Sequence, residues 1–162
     1  MGRRVFFGFH YERDMLRVAQ IRNSVVVLGA GDTSCGLLDG AEWDIIRMGG
    51  DGAILRWIDA QLRGTSVTVV LIGAETANRQ WINYEIVESV RRGNGLLGVY
   101  IHNVRDASGS TTAKGDNPFD YVTRRNTGAK LSKEYATYDW VRDDGPRNLP
   151  RWVDAAARQA GR

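Results

Sequence analysis

Val67-Thr68-Val69-Val70-Leu71-Ile72-Gly73 is the stretch on which the fold turns. Its apolar residues fall on both alternating faces, the pattern of a strand covered above and below in the middle of a sheet, not of a half-exposed one. Gly95 to Ile101 reads as the following strand and Val5-Phe6-Phe7-Gly8-Phe9 as an earlier one. Helical spacing separates them. Glu12 to Arg22 carries Met15, Leu16, Val18, Ala19 and Ile21; Glu42 to Met48 is a short helix; Gly49-Gly50 breaks it before Asp51 caps another, with Ile54, Leu55, Ile58 and Leu62 on one face and Gly64 at its end. Asn78 is the expected N-cap of a helix running to about Arg92. Strands alternating with helices predict an α/β fold, with a central, mostly parallel sheet, helices on both faces and right-handed crossovers.

The remaining stretches are less regular. Ser24 to Gly40 holds a β-like Val25 to Leu28 followed by turn formers. Arg105 to Lys133 reads as polar surface loop around an Asn117-Pro118-Phe119 turn, Tyr135 to Val141 as an edge strand, and Pro150 as the opening of a last helix, Arg151 to Gln159. Trp152, Val153 and Ala156 give that helix a narrow apolar stripe for docking.

A chain of 162 residues, 43% of them hydrophobic, is long enough for one domain over 1–162 to bury most of its apolar surface. The 22 Lys and Arg residues nearly balance 19 Asp and Glu and are scattered, so no nucleic-acid partner is expected. The longest apolar runs, Val25 to Leu28 and Val67 to Ala74, fall short of the ~20 residues that span a bilayer, and Met1-Gly2-Arg3-Arg4 enters the first strand without a signal-peptide core. A lone Cys35 and two histidines, His10 and His102, supply neither a disulfide nor a zinc set, so we expect a cytoplasmic protein without a metal. Gly29-Ala30-Gly31 lacks a third glycine at dinucleotide-fingerprint spacing, and the phosphate-binding GxxxxGK[ST] loop and GxSxG elbow are absent.

In open parallel sheets ligands bind beyond the carboxyl ends of the strands. Three such tails are expected to converge: Phe9-His10-Tyr11, Gly73 to Asn78, and His102-Asn103. Read from residues alone, His10 and His102 fit ordinary loop histidines as well as site residues. Glu85 lies on one stripe with Asn78 and Trp81, at the border of the apolar face of Ile82, Ile86 and Val90, where a glutamate is ordinarily solvated. Glu88 has Arg92 four residues on as a surface partner, whereas Glu85 has Ser89.

A set of words lifts Glu85 above that reading. Val5 to Tyr11, Gly49-Gly50-Asp51 with Ile54, Trp57-Ile58-Asp59 and Gln61-Leu62, Thr68 to Gly73, Glu75 to Arg79, Trp81, Asn83-Tyr84-Glu85-Ile86, Tyr100 to Asn103 and Asn117-Pro118-Phe119 together resemble the TIR-like proteins of the bacterial Thoeris antiphage system. The resemblance covers roughly Arg3 to Asp120, leaving 121–162 as a C-terminal extension packed on it. It implies a flavodoxin-like TIR fold and an enzyme that cleaves NAD and releases a cyclic ADP-ribose isomer, a signal for a separate effector protein. NAD is then substrate, with no bound cofactor, and a homo-oligomer is left open. The resemblance also puts the catalytic carboxylate at Glu85; with the strand tails and nearby aromatic residues, the substrate site is expected among Phe9, His10, Tyr11, Asn78, Trp81, Tyr84 and His102. Two departures stand out: Gly8 occupies a place where many TIR domains carry serine, and the proline-bearing BB loop of adaptor-type TIR domains is not recognisable.

A single carboxylate suits that chemistry. Nicotinamide leaves NAD as a neutral molecule, so no general acid is required, and an anion steadies the oxocarbenium-like ribose. Candidate walls are Phe9, Tyr11, Trp43, Trp81 and Tyr84, with Trp57 read as plain core. The alternatives are a non-catalytic TIR module acting by self-association and a nucleoside deoxyribosyltransferase-like enzyme with glutamate as covalent nucleophile.

Overall fold

The computed structural model describes residues 3–27 and 40–162. The chain runs β1 (Val5–Gly8), α1 (Tyr11–Val27), α2 (Gly40–Met48), α3 (Asp51–Arg63), β2 (Val67–Ile72), α4 (Gln80–Arg91), β3 (Gly95–Tyr100), β4 (Thr137–Asp139) and α5 (Gly145–Gln159). Short 3-10 turns at Pro118–Tyr121 and Leu131–Lys133 lie between β3 and β4. Among the described residues the sheet has four strands in the order β1-β2-β3-β4, every pair parallel. This is the α/β arrangement the alternation predicts, and it is consistent with the flavodoxin-like TIR fold that the resemblance implies.

The two-residue period of the strands sorts the core into layers. Val5 and Phe7, Val67, Val69 and Leu71, and Leu97 and Val99 turn to one face, where Val18 and Ile21 of α1 and Leu149, Trp152, Val153 and Ala157 of α5 cover them. Phe6 turns the other way onto Ile54, Ile58 and Leu62 of α3. Val70, Ile72, Leu96 and Tyr100 meet Ile82 and Ile86 of α4 together with Phe119 and Leu131. All six residues of β2 are buried, as its doubly apolar pattern requires.

Several boundaries differ from the sequence reading. Val25 to Val27, β-like by composition, are the last residues of α1, β propensity being a weak and context-dependent preference. Leu28 to Asp39, including Cys35 and the Gly29-Ala30-Gly31 run, lie outside the described residues. Asp51 is the first residue of α3 and not its cap; Gly50 takes the cap position at φ 80, a left-handed conformation that suits glycine. Asn78 does not cap α4 either: it sits in the preceding turn at φ 59, accepting a hydrogen bond from the Asn83 side chain at 3.1 Å, and the cap position falls to Arg79 without a side-chain bond. The edge strand shrinks to Thr137–Asp139, paired in parallel with β3. The last helix begins at Gly145, a turn and a half earlier than expected, with Pro146 in its first turn and Pro150 inside. Pro150 there lacks the N–H that would otherwise bond the residue 146 carbonyl.

α5 approaches the sheet closely at Gly95, where an added Cβ would stand 2.7 Å from the Ala156 carbonyl carbon and oxygen. These are backbone atoms that cannot swing away. Gly95→Ala is therefore expected to lift α5 and destabilise the protein by about 1–3 kcal/mol, the usual cost of overpacking. Denaturant midpoints of the variant and the parent check this.

Candidate active site

β1 ends at Gly8, and the chain turns through Phe9 and His10 into α1, while α4 crosses the same strand end with Glu85 facing it. Two hydroxyls set the depth of α4. Ser89 donates to the Glu85 backbone carbonyl at 2.6 Å, leaving its oxygen to accept from Thr68 of β2 at 2.7 Å. Ile82 and Ile86 on either side of Glu85 are packed into the core. The Glu85 side chain consequently enters the protein instead of reaching water, and it is 1% exposed. The expectation of a solvated border glutamate fails here because α3 closes over that edge of α4, with Trp57 and Trp81 joining the layer built on Phe6.

Gly8 makes the room. A Cβ there would stand only 2.1 Å from Glu85 Oε2, so any side chain would displace the carboxylate. The departure from serine thus has a physical consequence in this chain. Glu85 Oε2 is buried and has no hydrogen-bond partner among the described residues, and the same holds for the Tyr11 hydroxyl and Trp43 Nε1. Burial without a compensating charge favours the neutral acid and pushes the Glu85 pKa up to about 8. Burial, with the Glu85 charge second, holds the Tyr11 phenol well above its ordinary value.

These groups line a cavity of about 380 Å³ together with Phe9, His10, Ile54, Trp57, Trp81 and Ile82. Ligand clefts are typically roughly 300–1,000 Å³. Aromatic rings wall it: Tyr11 stacks on Trp43 at 4.2 Å and 8°, leans on Phe9 at 4.0 Å, and meets Trp57 edge-on at 6.4 Å. Charged groups gather at the mouth. Arg47 bridges Glu12 at 3.1 Å and Asp44 at 3.2 Å, Arg79 lies 3.7 Å from Glu75, and Asp51 and Gln80 complete the lining. The His10 pKa is lowered, first by burial and then by the Arg79 charge.

Behind the rim, Thr76 accepts from the Gly73 N–H at 2.8 Å and donates to the buried Asp14 carboxylate at 3.4 Å, holding the β2–α4 loop. Arg17 of α1 donates to the Val104 and Ser110 carbonyls at 2.8 and 3.0 Å, fixing the chain after β3.

Of the residues singled out from the sequence, Glu85, Phe9, His10, Tyr11 and Trp81 line the cavity, as does Trp43. Trp57 is a wall of it as well as part of the packing, so the plain-core reading was too narrow. Tyr84 lies behind Trp81, donating to Asp59 at 2.7 Å. Asn78 stays in its exposed turn. His102 does not join either: it follows β3, with β2 between it and β1, and packs against Tyr100 with Nε2 3.8 Å from Asp139. Three tails were expected at one rim, but the 110–116 segment covers the third, Thr112 donating to the His102 carbonyl. Arg47, Arg79, Asp51 and Gln80 escaped sequence reasoning, the signal in hindsight being their position at helix ends bordering the strand tails. Among the described residues no group of three or more His, Cys, Asp or Glu is placed to hold a metal, and no helix is long and apolar enough to cross a membrane.

A raised carboxyl pKa has a definite sign in stability. Between the ordinary 4.5 and about 8 the folded state holds a proton that the unfolded state has lost, so stability falls as pH rises through that window. Glu85→Gln mimics the protonated acid. It should unfold much like the parent at pH 5 and be more stable at pH 8 by on the order of a few kcal/mol, read from denaturant midpoints at both values. An equal margin at the two pH values would contradict the buried, unpaired carboxylate.

Comparison with known proteins identifies the family. Residues 6–106 match the family model described as Thoeris protein ThsB, TIR-like domain, a span from β1 through the segment after β3 that contains Gly8, Tyr11 and Glu85. A relative from Bacillus cereus (strain MSX-D12), named "Putative cyclic ADP-D-ribose synthase ThsB1", is 34% identical over 194 aligned positions that cover 95% of this chain and all of that protein. The chain belongs to the Thoeris ThsB TIR-like family.

Proposed function

We propose that this chain is an NAD-consuming cyclase: it breaks the bond between nicotinamide and ribose and closes the remaining ADP-ribose into a cyclic isomer. The observation that carries the reading is the Glu85 carboxylate, buried and unpaired in a ligand-sized aromatic cavity at the end of β1. The name of the Bacillus cereus relative supports the same reaction.

The chemistry follows from the residues at hand. The departing nicotinamide takes the electron pair of the C–N bond and becomes neutral, so no acid is needed at the leaving group. Positive charge builds on the ribose instead, and Glu85, once ionised, is the carboxylate that meets it in the interior of the cavity, while Glu12 and Asp51 stand at the mouth among the described residues. Phe9, Tyr11, Trp43 and Trp57 keep water from the reacting carbon, which favours a nucleophile of the same molecule. Arg47 and Arg79 place two guanidinium groups where the diphosphate of a folded dinucleotide would leave the aromatic interior. His10, kept neutral by its surroundings, offers a hydrogen bond beside them.

We further propose, on the family alone, that the cyclic product signals to a separate effector protein, and that residues 1–162 act as one domain, a reading supported by the place of α5 in the shared core. A purely self-associating role is less well supported, since it gives no reason to bury an unpaired acid at a cost of stability.

Mass spectrometry of extracts from phage-infected cells tests the reading. Cells carrying the parent protein should lose NAD and gain a cyclic ADP-ribose isomer, and Glu85→Gln should lower product by at least about 100-fold, the scale of removing a transition-state electrostatic partner. Identical NAD loss and products in the two strains would remove Glu85 from catalysis.

A further inference from the structure

We propose that Glu85 selects the oxidised, cationic form of the dinucleotide by giving up its own proton as the pyridinium enters, and recovers a proton from the hydroxyl that attacks the ribose. This rests on the reading of the cavity as the NAD site and adds to it a specificity determinant and the destination of a proton.

Among the described residues the geometry gives Glu85 no counter-charge. Its carboxyl is 1% exposed, faces the bare Cα of Gly8, and has an oxygen with no partner. Among the described residues, the other charged and titratable groups that line the cavity come from four places. From the α1 side come His10, Tyr11 and Glu12; α2 brings Arg47, α3 Asp51, and the turn before α4 Arg79. The two arginines are held by carboxylates at the mouth, Arg47 by Glu12 and Asp44 and Arg79 by Glu75, and none of these groups is hydrogen-bonded or ion-paired to Glu85. Burial is the only cause acting on its proton affinity. An empty cavity therefore holds a neutral acid at pH 7, and the charge that makes a carboxylate favourable must come with the ligand.

A pyridinium brings that charge, and a dihydronicotinamide does not. During the reaction the C–N bond breaks with its electron pair going to the pyridinium nitrogen, which neutralises the base, and the positive charge passes to the ribose. When an attacking oxygen donates its lone pair to the ribose carbon, the cation disappears and the O–H proton must leave. Glu85, again a buried anion without a partner, is the acceptor at hand. The proton shed on binding is then the one net proton of turnover.

Calorimetry on the full chain tests this with two probes. Carbocyclic NAD, with a methylene in place of the nicotinamide-ribose ring oxygen, keeps the pyridinium charge but is not cleaved; NADH keeps both phosphates and lacks that charge. Titrations at pH 7 in buffers of different ionisation enthalpy count the protons exchanged. Carbocyclic NAD should release about one proton from the parent protein and none from Glu85→Gln, and its Kd should fall about tenfold from pH 6.5 to 7.5, as linkage to one group requires. NADH should bind the parent more weakly, without proton release and with a pH-independent Kd. Binding of carbocyclic NAD without proton release, or with equal release from Glu85→Gln, would overturn the inference while leaving the NAD site standing. Failure of both dinucleotides to bind would instead overturn the site on which it rests.

Discussion

Everything at the site depends on one electrostatic conflict: a carboxyl group buried in a cavity wall where the described residues offer it neither a hydrogen bond at Oε2 nor a cationic partner. Glu85 is 1% exposed and its pKa rises to about 8. The protein maintains this arrangement by packing, with Ile82 and Ile86 anchored in the core and the Thr68–Ser89 hydroxyl pair tying α4 to the central strand. The absence of a side chain at Gly8 completes it. An unpaired buried acid weakens a fold, and such features persist at functional sites where a ligand supplies what the protein withholds.

The surroundings divide the labour by depth. Tyr11 and Trp43, stacked at 4.2 Å, close the interior with Phe9 and Trp57, and the Tyr11 hydroxyl and Trp43 Nε1 are buried donors without a partner among the described residues. Arginines stand further out, where their charges are screened from Glu85 and already balanced by carboxylates. Had either reached the interior, Glu85 would be a permanent anion and the cavity would lose its preference for a cation.

The fold was legible because it rests on periodicity. Val67 to Ile72 is apolar on both faces and does become a central strand, and the helices before and after it follow from Ile54, Ile58 and Leu62 and from Ile82 and Ile86. Ends were less legible. Asp51 and Asn78 have good capping chemistry, yet backbone conformation assigned the caps to Gly50 and Arg79, and Pro150 drew attention from Pro146. At the site, family words singled out Glu85, but its burial could not be read from α4 alone, because α3 packs beside that helix and is distant in sequence. His102 shows the converse: a strand end is a good guide only when it is the right strand, and β2 keeps the end of β3 apart from that of β1.

The protonation state of Glu85 is the central claim, and infrared difference spectroscopy reads it directly. At pH 7 the spectrum of the parent protein minus that of Glu85→Gln should contain the C=O stretch of a protonated carboxylic acid, and saturating carbocyclic NAD should replace it with the paired bands of a carboxylate. Carboxylate bands already present in the ligand-free difference spectrum, unchanged on binding, would contradict the account.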